Sequence, residues 1–164
     1  MEKVINISWS SQVKLISVGT LVFLAILFYY LISNGYLRSL LGYATVILVI
    51  GVLAYFAMQA PMSIKFTESK IIINKLLGSI EIAYTDIKTM GEYSFSQGDI
   101  RVMGSGGFFG YIGSFKNKTF GNYTAYVGNT QQAFFIQTKK GKYFVISCDK
   151  REEALDLINN GINH

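Results

Sequence analysis

Few of the residues that metal sites, disulfide scaffolds and hydrolytic active sites require occur here: of 164 residues, one is cysteine, one histidine and one proline, and only ten are acidic. The single thiol, Cys148, excludes an intrachain disulfide and fits a reducing compartment. A Cys/His nucleophilic pair would have to recruit the last residue, His164, so Cys148 reads as a small buried thiol between a strand and a helix start. The carboxylates Glu68, Glu81, Asp86, Glu92 and Asp99 show no metal-ligand spacing, and Ser105 in Gly104-Ser105-Gly106 is not a nucleophile elbow. No catalytic constellation, metal or cofactor is expected, and Asp86 is expected to accept backbone N–H bonds at a corner.

Charge is also missing from two long stretches, Leu15–Ile32 and Leu40–Met58, separated by Ser33-Asn34-Gly35-Tyr36-Leu37-Arg38-Ser39. At a rise of 1.5 Å per residue either run covers about 27–29 Å, the hydrocarbon thickness of a bilayer. The chain therefore divides into an amino-terminal arm (1–14), a transmembrane hairpin (15–60, with helices at 15–33 and 40–59) and a domain (61–164). Neither helix holds an ionisable residue, which marks an anchor rather than a conduit. Tyr29, Tyr30, Tyr36, Tyr43 and Tyr55 lie near the span ends, as in aromatic belts. A cleaved signal peptide is disfavoured by the length of the first run and the second span that follows at once. Lys3, Lys14, Lys65, Lys70 and Lys75 flank the outer ends, whereas Arg38 alone lies between the spans. The positive-inside rule then puts both termini and the domain in the cytoplasm, and makes the sequons at Asn6, Asn117 and Asn122 chance occurrences. Scattered basic residues without a stripe exclude nucleic acid as a partner.

What is present outside the runs is mostly period two. Ile5, Ile7 and Trp9 alternate with Asn6, Ser8 and Ser10, so the arm is expected to add a strand to the domain, with Trp9 at the lipid–water boundary and Ser10 or Ser11 capping the first helix. After Pro61, strands are expected at Ser63–Thr67, Lys70–Leu76, Gly78–Tyr84, Ile87–Phe95, from Ile100, and at Tyr123–Val127, Ala133–Thr138 and Lys142–Ser147. The last two form a hairpin across Lys139-Lys140-Gly141. A final helix is expected with Asp149 and Glu152 as a capping box, Leu155, Ile158 and Ile162 on its apolar face and Gly161 as its carboxy-terminal cap. The fold class is α+β, mostly β: a two-helix transmembrane hairpin, then a partly open antiparallel β-barrel of about seven strands capped by a C-terminal α-helix.

Three segments resemble the membrane-anchored bacterial pleckstrin-homology-like (PH-like) domains. They are Ile82-Ala83-Tyr84-Thr85-Asp86-Ile87, similar to the family's corner between strands; the glycine-aromatic insert Arg101–Gly113; and Phe134–Ser147 with its helix. The resemblance runs from Pro61 to about Asn160 and implies the fold and a general binding platform rather than a specific ligand.

The insert has no Gly-x-Gly-x-x-Gly register and no Gly-Lys-Ser/Thr, so a phosphate loop is excluded. Its glycines are expected to let a bulged strand pair pass closely under aromatic side chains. Phe108, Phe109 and Tyr111, with Arg101, Lys116 and Lys118 expected to converge beside them, are the candidate contact loop for a partner or for lipid headgroups. Lys139, Lys140 and Lys142 form a second basic set, and neither set reaches the density of an anionic-lipid cluster. The functional expectation is a membrane-anchored binding or assembly module in a bacterial cytoplasmic (inner) membrane. It is attached to the bilayer by two helices and presents the domain to a protein partner or a second copy. The alternative is a sensor of anionic headgroups, and a membrane-bound enzyme stands behind both.

Overall fold

In a computed structural model, which describes residues 2–37, 39–96 and 98–163, the chain begins with a strand, β1 (Lys3–Asn6), and two long helices, α1 (Ser11–Ser33) and α2 (Leu40–Met58). Each helix is capped by the serine before it. The Ser10 hydroxyl accepts from Val13 N at 3.3 Å and that of Ser39 from Gly42 N at 3.1 Å. Both helices are long and apolar enough to cross a membrane. Their side chains point almost entirely outward, with Leu15, Phe23, Leu40 and Ile47 among those left exposed, as lipid-facing helices require and soluble core helices forbid.

Nine strands follow: β2 (Pro61–Phe66), β3 (Lys70–Lys75), β4 (Ser79–Ala83), β5 (Ile87–Glu92), β6 (Ile100–Gly106), β7 (Tyr111–Asn117), β8 (Gly121–Val127), β9 (Ala133–Thr138) and β10 (Tyr143–Ser147), and the helix α3 (Arg151–Asn163) ends the described chain. They form two open sheets, β1-β2-β3-β4 and β5-β9-β10-β8-β7-β6. The expected architecture of two apolar helices, open sheets and a terminal helix is the one observed, with two differences in detail. The insert forms the bulged strand pair expected of its glycines, but its second strand, β7, is absent from the expected set: β6 runs on to Gly106 and β7 starts at Tyr111. Glycine carries no side chain to alternate, so this pairing is invisible to a period-two reading. Second, β8 lies parallel to β10 (Tyr123 beside Tyr143, Tyr126 beside Ile146). Residues after β8 hop over the end of β10, where the buried Ser147 hydroxyl accepts from Gly128 N (2.9 Å) and Asn129 N (3.2 Å).

The main core lies between the sheets. Ile64, Phe66, Ile71, Ile73 and Ile82 of the smaller sheet meet Ile87, Phe134, Ile136 and Ile146 of the larger. The arm joins as expected, β1 pairing antiparallel with β2 so that Ile5 and Ile7 are buried. Helix α3 closes the core with Ala154 and Ile158, both fully buried, whereas Ile162 stays exposed. Of the expected face Leu155–Ile158–Ile162, Ile158 is buried and Leu155 packs against the core beside Leu157, while Ala154 and Gly161 take the remaining inward places and Ile162 does not. Gly161 is not a terminal cap but lies within the helix against the Tyr84 ring, where a Cβ would come within 2.7 Å of the ring carbons. Asp149 is likewise used differently. Its carboxylate accepts from Ser8 N and Ser8 Oγ, both at 2.8 Å, tying the arm to the domain instead of forming the expected box with Glu152. The Tyr84–Asp86 corner is a 3-10 turn. There Tyr84 is buried and Asp86 exposed, and it is the Asp86 main-chain carbonyl that accepts from Lys139 N (2.8 Å), not its carboxylate that collects N–H groups.

Candidate functional site

The glycine-aromatic insert is a bulged antiparallel pair with Gly104 directly opposite Gly113. Both have positive φ (123° and 114°), and a Cβ on Gly104 would lie 2.0 Å from Ile112 O, one on Gly113 2.4 Å from Met103 O. Only glycine fits at either position, because the obstructing atoms are backbone. The turn beyond is closed by Gly107 N donating to Gly110 O (3.0 Å) and Ser105 Oγ donating to Phe108 O (2.6 Å). Phe109, at φ 57°, donates its N–H to Ser17 Oγ of α1 (2.9 Å), and the buried Ser17 donates to Val13 O (2.7 Å). The Phe109 ring rests on Trp9 with centroids 5.6 Å apart and on Phe108 at 4.3 Å, and Ile16 of α1 packs over Gly107. The turn is therefore docked on the first turns of α1, at the end of that helix where Lys14 stands exposed.

The other candidate residues separate. Tyr111 joins an aromatic layer on the outer face of the larger sheet, 5.2 Å from Phe95 and 6.5 Å from Phe115, continuing through Tyr93, Phe120, Tyr123 and Tyr143. Arg101, opposite Phe115, lies on that same outer face with its guanidinium beside Gly106. Lys116 follows Phe115 and so faces the other side, and Lys118 is exposed in the β7–β8 turn. Arg101 and Lys116 do not converge.

The segment that crosses the aromatic layer between β5 and β6 is pinned by Asp99. Its Oδ1 accepts from Tyr93 OH, Tyr123 OH (2.8 Å) and Asn117 Nδ2 (2.9 Å), and its Oδ2 from Ser96 N (2.7 Å). Burial works to raise the carboxyl pKa, but these four donors outweigh it and hold the group below its ordinary value. The Tyr93 phenol is pushed up to about 12 by burial and by the neighbouring Asp99 charge, and burial likewise raises Tyr123. A carboxylate so saturated with donors is a structural tie. Burial, with Asp149 and Glu153 nearby, pushes the Cys148 thiol up to about 11, the opposite of an activated nucleophile. His164 lies outside the described residues, and among those described no group of three His, Cys, Asp or Glu is placed to hold a metal.

The sheet register brings together residues that the sequence keeps apart. On the inner face of β7, β8 and β10 the cross-strand rows read Ile112–Tyr126–Ile146, then Ser114–Thr124–Phe144. A further row follows, with Lys116 opposite Asn122 and Lys142 beside it, one residue before β10. Part of this face is not covered by the smaller sheet. It forms a cleft of about 300 Å³ against the end of α2 (Tyr55, Phe56, Gln59) that shares Ser114, Thr124 and Tyr126 with a second cleft of about 570 Å³ reaching Asn122 and Lys142. The parallel β8–β10 pair carries Lys142 to Asn122, and nothing in the local sequence of either segment signals that pairing.

The family model described as "Bacterial PH domain" matches residues 62–160, more than half of the chain. The chain belongs to the bacterial PH domain family. No curated protein and no solved structure matched it. The bacterial PH domain thus begins at β2, while the arm strand β1, which completes its smaller sheet, lies before the two apolar helices and outside the matched residues. With those helices the chain fits a membrane-anchored PH module, and PH-like domains are typically binding rather than catalytic modules.

Proposed function

We propose that this bacterial PH domain is a binding and assembly module held at the cytoplasmic membrane, with both termini in the cytoplasm, and that it engages another membrane subunit or a second copy of itself. The observation that carries this reading is the free edge of the larger sheet. Among the described residues strand β6 pairs with β7 on one side only, and it exposes Ile100 (65%), Val102 (62%) and Met103 (69%). An apolar edge strand with unpaired N–H and C=O groups is a template for strand addition. Phe108 and Phe109 continue this surface toward α1, and Arg101, Lys116 and Lys118 supply its charged rim. Tyr111 supports it from the aromatic layer.

The test uses the full-length protein in nanodiscs, comparing wild type with Val102→Lys/Met103→Lys and with Phe108→Ser/Phe109→Ser. Subunit count by single-molecule photobleaching and the set of co-purifying membrane proteins are the readouts. The lysine pair is expected to abolish self-association or a specific co-purifying protein without lowering the melting temperature. Unchanged stoichiometry and an unchanged partner set in both variants would refute the reading. The inner-face cleft favours a second reading, recognition of a membrane lipid.

A further inference from the structure

We propose that the inner-face cleft between β6–β7–β8–β10 and the end of α2 binds one long-chain fatty acid drawn partly out of the adjacent leaflet, its carboxylate between Lys116 and Lys142 and its chain toward α2. The cleft shares Met103 and Val102 at its margin with the β6 edge, but the residues that decide this proposal, Lys116, Thr124 and Lys142, lie outside β6, so its test is separate from that of the protein-binding reading.

Polarity along the cleft changes in one direction. At the membrane end its walls are Ile112, Tyr126 and the rings of Tyr55 and Phe56, the last two belonging to the helix that fits a membrane span. Ser114 and Thr124 line the middle, where the two clefts merge. At the far end the walls include Asn122 and Lys142, and Lys116, opposite Asn122 in the strand register, stands at the rim. From Ile112 to Lys116 is four residues of strand, about 14 Å, and the two lysines, two strands apart, are roughly 10 Å from one another. Among the described residues neither lysine has an ion-pair partner, whereas Lys3, Lys65, Lys70 and Lys150 each have one. Two unneutralised ammonium groups and an amide at the end of an apolar channel complement a small anionic head on an alkyl chain.

The channel opens where α2 ends, so its occupant enters from the bilayer without crossing water. A cleft of about 300 Å³ at the α2 end admits one chain. With no guanidinium or helix amino terminus among its lining residues, the polar end suits a carboxylate better than a phosphodiester.

The test is photolabelling of the full-length protein in nanodiscs with a diazirine-bearing palmitic acid, mapped by peptide mass spectrometry. Label is expected on peptides spanning 112–126 and 142–146, displaced by unlabelled palmitate. It should fall at least about tenfold in Lys116→Glu/Lys142→Glu, since each basic residue near an anionic head is worth roughly a factor of five. Thr124→Trp, which fills the channel midway, should lower it without touching a charge, and melting temperatures confirm that both variants are folded. Label confined to the outer faces of α1 and α2, or cleft label insensitive to both variants, would overturn the proposal. So would cleft labelling by a diazirine phosphatidylglycerol that free palmitate does not displace, which would assign the cleft to a phospholipid.

Discussion

Replacing Gly104 by alanine tests the docked insert directly. Its φ of 123° lies in a region that costs a side-chain-bearing residue about 1–3 kcal/mol. The new Cβ would also stand 2.0 Å from Ile112 O, a backbone atom held in the β6–β7 ladder, so relief requires the strands to part. Overpacking of this kind adds about 1–3 kcal/mol, for a total near 4 kcal/mol. In a chain of this size each kcal/mol lowers the melting temperature by about 2–4 °C, so Gly104→Ala should melt roughly 10 °C below wild type. Gly121→Ala is the internal control. Its φ of 67° is also positive, but nothing lies within 4 Å of its Cβ, so it should lose only about 1–2 kcal/mol, roughly 3–6 °C. Gly104→Ala/Gly113→Ala should lose less than the sum of the single changes, because both force the same strand separation. The assay is thermal denaturation in detergent followed by circular dichroism. If Gly104→Ala melts with Gly121→Ala, the close approach of the two strands is not what selects glycine.

Three further expectations follow from the contacts described. Ser17→Ala removes the acceptor of the Phe109 N–H, and hydrogen exchange should show protection at Phe109 falling by about tenfold, with little change at β9. The Asp99 carboxyl titrates below its ordinary value of 3.8, so its stabilising effect is complete above that pH and disappears as pH falls through the folded value. Asp99→Asn should therefore be less stable than wild type at pH 7, with the gap narrowing below pH 4 in parallel denaturant titrations. Cys148, buried and titrating near 11 rather than 9, should react with maleimide at neutral pH at least roughly a hundredfold more slowly than a free thiol until the domain is unfolded. Rapid labelling of the folded protein would show that the α3 end of the core opens.

The parts of the fold legible in the sequence are those written as local patterns. Charge-free runs of helical length give α1 and α2, and alternating Ile and Phe give β2 to β5. The single alternation Ile5–Ile7–Trp9 is enough to attach the arm. Where a position is decided by what approaches it from elsewhere, local pattern misleads. Gly161 resembles a cap by its place near the chain end, but Tyr84, far away in sequence, makes it a packing residue. Asp149 has capping spacing, yet Ser8 reaches its carboxylate first. The contact loop shows the same limit. Its glycine and aromatic content is plain in the sequence, but whether Phe109 faces solvent or Ser17 is settled by tertiary docking. The lysines illustrate it further, since grouping by sequence proximity pairs Lys116 with Arg101, which the pleat sends to the opposite face, while a parallel strand pair delivers Lys142.

The pairing of β1 with β2 bears on how the protein is made. These strands are separated by both long helices, so β1 finds its neighbour only after 54 residues more (7–60) have been made. Two helices that cross a membrane in opposite directions return the chain to the side on which the arm lies, which is what the β1–β2 pairing needs. A chain in which one helix failed to insert would strand β1 across the bilayer and expose the β2 edge, Ile64 and Phe66 included, to the quality-control machinery. Where both helices span a membrane, a closed smaller sheet therefore requires β1 and β2 to lie on the same side of it.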